Sequence, residues 1–178
     1  MPHQSSEFDM TPFTQAPLRM EGIIEYEGKT PWQVFETLGD PEQIPHWYLL
    51  AREVNMHPRK AGEEQTFNVV FTFFGDVYEE VLHWDPPHRY VYLAQGDDFP
   101  IRDYVSQIEV VDHGNQRGTM SWRVYCNQID GEHFQKILPV MLPAINEASL
   151  QRLAPLIGGT SVRCRNFFDT TILTPGIK

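Results

Sequence analysis

Few side chains in this sequence combine chemical reactivity with a setting that would use it. Glu80 is the first. It lies in "VYEEVLHW", residues 77–84, whose β-branched and aromatic residues favour a strand. Side chains on a strand alternate between faces, so Glu80 shares a side with Tyr78, Leu82 and Trp84. If that side meets the core, its carboxylate must find a partner or carry a raised pKa. The opposite set, Val77, Glu79, Val81 and His83, is nearly as apolar, and the strand leaves its own orientation open. Tyr104 shares a side with Ser106, Ile108 and Val110, the better core face of its strand, and Tyr92 shares one with Tyr90 and Ala94. His46, followed by Trp47 and Tyr48, stands at the end of a short helical stretch, and imidazole exchanges protons near neutrality. A carboxyl, phenols and an imidazole around an apolar space suit acid–base chemistry on a carbonyl compound. They suit equally well the hydrogen-bonded capture of a ligand's polar end.

Other chemistry finds no support. No matched nucleophile–base pair and no Gly-rich phosphate loop is visible. The seven histidines are scattered, and Cys126 and Cys164 form neither a disulfide framework nor a ligand set, so no metal and no cofactor is expected. With 24 acidic against 14 basic residues the chain carries −10, which repels a phosphate backbone and argues against nucleic acid as a partner. No apolar run approaches the roughly 20 residues of a membrane span. The first twenty residues lack a basic stretch followed by an apolar core, so the expected location is the cytoplasm, with reduced thiols.

The elements that would position these groups follow from pattern. Residues 1–19, with Pro2, Pro12 and Pro17, read as an extended arm. A strand over Met20–Tyr26 precedes a helix capped by Thr30 with Pro31 at its first position and Val34, Phe35 and Leu38 on one face. Gly39 ends it, and Asp40-Pro41 starts a second short helix that runs through Trp47. Six strands follow in a meander. In "TFNVVFTFF" the residues Phe67, Val69, Phe71 and Phe73 fall on one face, and in "TMSWRVYCN" Met120, Trp122, Val124 and Cys126 do. Asp85-Pro86-Pro87 forces a corner between two of the strands, because proline cannot donate to a ladder. A long helical pattern then carries Leu138, Met141 and Ile145, with Pro139 and Pro143 expected to break its first part. The tail, residues 158–178, is too apolar to float freely; it either covers the domain or contacts a second subunit, which would make a homodimer.

The order and local motifs over residues 20–157 resemble the SRPBCC superfamily. This is the helix-grip group that includes START lipid-transfer domains, pollen-allergen-like plant proteins and bacterial polyketide cyclases/dehydrases. The resemblance is carried by "KTPWQVFETLGDPEQIPHWY", by Gly62 in "AGEEQTF", by "VLHWDPPHRYVY" and by "RGTMSWRV". It implies an α+β domain in which a curved, seven-stranded antiparallel sheet wraps a long C-terminal helix, with two short helices between strands 1 and 2. It also implies an internal cavity, a site for a small apolar or aromatic, polyketide-like or lipid-like molecule. The expected lining is Trp47, Phe71, Phe73, Tyr78, Leu82, Trp84, Tyr92, Trp122, Leu138, Met141 and Ile145, with Glu80, Tyr104 and His46 as acid–base groups. A ligand-binding protein is the first reading, a cyclase/dehydratase the second, and an interaction protein with a filled cavity the third.

Overall fold

Thr30 opens the first helix as the sequence requires. Its hydroxyl accepts from the Gln33 amide at 3.3 Å while the Gln33 side chain accepts from the Thr30 amide at 2.9 Å, closing a capping box. Helix α1 (Pro31–Gly39) then buries Val34, Phe35 and Leu38. Asp40 caps a 3₁₀ turn over Pro41–Gln43 that leads into the single turn α2 (Ile44–Trp47). The computed structural model describes residues 8–127 and 132–169.

Strand β1 (Leu18–Glu27) precedes these helices, and six strands follow them: β2 (Ala51–Met56), β3 (Thr66–Phe71), β4 (Gly75–Asp85), β5 (Arg89–Gln95), β6 (Arg102–Gly114) and β7 (Arg117–Asn127). At the double proline the His88 amide donates to the Asp85 carbonyl at 2.8 Å, and the chain turns directly from β4 into β5. Helix α3 (Glu132–Ile157) packs against β1 and both short helices. The sheet is antiparallel throughout, in the order β2-β3-β4-β5-β6-β7-β1-β8.

The eighth strand corrects the expected count of seven. Gly158 takes φ 74° where α3 ends, and the next residues run back along β1 as β8 (Gly159–Asn166). Without them β1 would expose a row of unpaired amides and carbonyls, and pairing with β8 satisfies that edge. The expected break in α3 is absent as well. Pro143 lacks the N–H that would bond the Pro139 carbonyl, but the Asn166 side-chain amide donates to that carbonyl at 3.2 Å. The buried Leu138 and Leu142 hold the same stretch against the core, and the helix runs on through both prolines.

The two faces of the sheet are covered differently. The inner face, α1, α2 and α3 share one large core that includes Ile24, Phe35, Ile108, Met120 and Leu153. On the outer face the N-terminal arm lies down: Met10 is buried with Val91 and Val105, flanked by Phe8 and Phe13. Beside it a charge ladder alternates in sign across five neighbouring strands: Arg89, Glu109, Arg123, Glu21 and Arg165. Arg89 pairs with Glu109, Arg123 with Glu109 at 3.1 Å and with Glu21 at 2.9 Å, and Arg165 with Glu21 at 3.3 Å. Among the described residues no helix is long and apolar enough to cross a membrane.

Candidate functional site

The interior opens where a small side chain interrupts a row of large ones. Phe67, Glu79, Ala94 and Tyr104 are successive cross-strand partners on β3, β4, β5 and β6. The Ala94 methyl cannot fill the gap between a carboxyl and a phenol. The result is an internal cavity of about 60 Å³, closed on the helical side by Trp47, Leu138, Leu142 and Ile145.

Glu79 is the one carboxyl in the lining. It is 7% exposed, and burial raises its pKa from 4.5 to about 8, with no hydrogen bond or cation acting against that rise. At neutral pH the group is a neutral carboxylic acid, able to donate a hydrogen bond as well as accept one. Tyr48, Tyr90, Tyr92 and Tyr104 surround it in the same lining. The Tyr90 hydroxyl donates to the Leu38 carbonyl at 2.8 Å and that of Tyr48 to Asn146 Oδ1 at 3.2 Å. Ser106 Oγ donates to the Tyr104 oxygen at 3.1 Å and accepts from Trp122 Nε1 at 3.2 Å. Burial first, and then neighbouring phenols or the Glu79 charge, drive all four phenol pKa values far upward. These tyrosines stay protonated and serve as fixed dipoles. Glu79 is the one group of the lining whose pKa lies near neutrality.

The sequence-derived candidates divide. Trp47, Phe71, Trp84, Tyr92, Tyr104, Trp122, Leu138 and Ile145 line the cavity. Glu80, Tyr78 and Leu82 do not: the first two lie on the outer face, where the Tyr78 hydroxyl donates to Glu80 Oε2 at 3.1 Å and its ring stacks on His57. Leu82 joins the outer cluster under the arm. The cause is a β-bulge. Val81 pairs with Tyr92 but His83 pairs with Val91, so one extra residue sits at Leu82 and the alternation changes phase there. Counting back from the inward Trp84 by twos reaches Glu80; the extra residue makes Glu79 the inward one.

Phe73 also leaves the site. β3 ends at Phe71, the turn that follows leaves Phe73 73% exposed, and Phe74 takes the buried position. His46 is exposed on α2, with its carbonyl accepting from Arg152 at 3.3 Å, and Met141 packs on the core outside the lining. Glu79, Phe74, Phe99, Tyr48 and Tyr90 are lining residues that the sequence reading did not select. Tyr90 was within reach, since it shares a strand face with Tyr92. Glu79 belongs to the alternative face that the strand leaves open, and nothing in "EEVLHW" marks the bulge that decides between the two faces. The free thiols stand apart from the cavity, Cys126 buried and Cys164 exposed, and burial raises the Cys126 thiol to about 11. Among the described residues no cluster of metal-ligating side chains occurs.

Comparison with solved structures places this fold. A conserved protein from Geobacillus kaustophilus superposes with a TM-score of 0.63 at 15% identity, covering 84% of this chain and 100% of that one. The Zhui aromatase/cyclase from Streptomyces sp. R1128 also gives 0.63, at 12% identity over 77% of this chain and 92% of the other. A START superfamily protein from Mycobacterium smegmatis gives 0.55 at 10% identity, covering 79% and 94%. At such identities the likeness speaks for the fold alone, a curved antiparallel sheet that grips a C-terminal helix. A search of curated proteins returned no match. Residues 29–158, the greater part of the chain, match the family described as polyketide cyclase/dehydrase and lipid transport, and the chain belongs to that family.

Proposed function

We propose that this protein binds a compact apolar or aromatic molecule bearing a carbonyl or hydroxyl oxygen, held in the internal cavity with that oxygen on Glu79. The observation that carries this reading is an uncompensated carboxyl in an aromatic chamber. Holding Glu79 there costs free energy in the empty protein, and an oxygen acceptor from a guest would offset part of that cost. Flat rings suit the remaining walls, which are mostly aromatic.

Catalysis is the second reading, favoured by the same carboxyl having a pKa of about 8 among phenols that stay neutral. Glu79 would give its proton to the carbonyl oxygen of a bound ketone, and its carboxylate would take a proton from the adjacent carbon. The ketone becomes its enol and Glu79 returns to the acid form. The family description, which joins cyclase/dehydrase to lipid transport, accommodates both readings.

Native mass spectrometry of freshly purified protein and fluorescence titration with 2-naphthol test binding. A bound small molecule, or saturable naphthol binding weakened at least tenfold by Glu79→Ala, is expected. An empty protein that also ignores naphthol would overturn the reading. Hydrogen–deuterium exchange at the carbon beside the carbonyl of 2-tetralone, followed by NMR, tests catalysis. Exchange above the buffer rate that Glu79→Gln abolishes would support it, and exchange at the buffer rate would remove it.

A further inference from the structure

Trp84 is the exception in the cavity wall. Every other lining residue is buried or half-buried, whereas Trp84 is 47% exposed and so stands between the cavity and solvent. The bulge at Leu82 is what turns it toward the cavity, on the same strand as Val81 and Glu79. Its ring stands edge-on to Phe35, with centroids 5.0 Å apart, and tilts against Tyr90 at 5.6 Å. The far edge of the indole rests on Gly39, where an added Cβ would lie 2.6 Å from Cη2. Gly39 is not among the positive-φ glycines, so its backbone does not demand glycine. The absent side chain makes room for the indole.

We infer that Trp84 is the door of the cavity and Gly39 the seat on which it closes. The indole leaves Gly39 to admit a flat guest and returns to retain it, so this pair sets guest size and exchange rate. No other lining residue combines a surface position with a ring of that size. The door needs no particular guest, so it stands apart from the proposed ligand.

Tryptophan fluorescence tests it without any ligand. Trp32 is exposed, whereas Trp47 and Trp122 are buried in the cavity wall. In a Trp32→Phe background, Trp84→Phe keeps a ring in the doorway and Trp84→Ala empties it, leaving Trp47 and Trp122 as the emitters. Acrylamide quenching is expected to be at least threefold stronger in the alanine variant; equal quenching overturns the door. Gly39→Ala gives an independent check that keeps the indole. The 2-naphthol dissociation rate should rise severalfold in Gly39→Ala, and the double variant with Trp84→Ala should be no faster than Trp84→Ala alone. An unchanged rate in Gly39→Ala, or fully additive effects, would refute the pairing. If the native protein takes up no naphthol, the ligand reading fails by itself and the quenching ratio still decides the door.

Discussion

Glu79 and Glu80 are adjacent in the chain and experience opposite environments. Glu80 lies on the outer face of the sheet and accepts from the Tyr78 hydroxyl. Glu79 points into the cavity, where burial alone lifts its pKa to about 8. The contrast extends to whole faces. Carboxylates on the outer face, Glu21 and Glu109, are partly buried yet each is matched by arginines in the ladder from β5 to β8. Inside, the carboxyl has no cation, and the polar groups near it are phenols. An ion pair that is satisfied in place holds strands together, while an unsatisfied acid is available to a guest. The sheet therefore keeps its structural charges outside and its one costly carboxyl inside.

The largest expected effect breaks this contrast at Glu79. Its folded pKa of about 8 exceeds the unfolded value near 4.5, so between those pH values the folded state holds the proton more tightly. The stability this proton contributes is complete below pH 4.5 and falls as pH rises through 8, by at most about 5 kcal/mol. Glu79→Gln should remove that decline. Urea unfolding should find the variant more stable than the native protein at pH 9, with the difference vanishing near pH 5. A constant difference across that range would mean Glu79 is charged in the folded protein.

Glu109→Ala attacks the other face. It strips Arg89 and one contact of Arg123 of their carboxylate, and a loss of about 2–3 kcal/mol is expected. Urea unfolding would measure it, and a neutral result would show that water replaces the ladder. Ser106→Ala should cost about 1–2 kcal/mol, since Trp122 Nε1 loses its acceptor and the Tyr104 oxygen its donor. A matching change in Trp122 fluorescence would place the loss in the cavity wall. The smallest effect sharpens the comparison: Glu80→Gln should shift stability by less than about 0.5 kcal/mol and leave naphthol affinity unchanged. A tenfold change in affinity would put Glu80, and not Glu79, at the ligand.

Much of this architecture could be read from local pattern. Thr30 and Pro31 announce the start of α1, the face formed by Val34, Phe35 and Leu38 announces what it buries, and Asp85-Pro86-Pro87 announces the corner between β4 and β5. The site was legible wherever strand phase was uninterrupted, as for Tyr92, Tyr104 and Trp122. It failed at Glu80, because one inserted residue at Leu82 reverses every side chain on one side of it relative to the other. It failed at Phe73, because the strand ends at Phe71, two residues before the alternation does. Residues 159–166 show in the sequence only as an apolar extension, since pairing with β1 depends on an edge that the meander leaves open.

By itself the sequence determined the succession of helices and strands as far as α3, because capping, alternation and proline geometry act over a few neighbouring residues. Tertiary structure decided which carboxyl faces inward, how α3 runs past its prolines and where the cavity meets solvent. Those outcomes depend on a bulge paired against another strand, an asparagine 27 positions away from the carbonyl it bonds, and an indole resting on a distant glycine. Contacts between remote segments set them, and local pattern carries no record of such contacts.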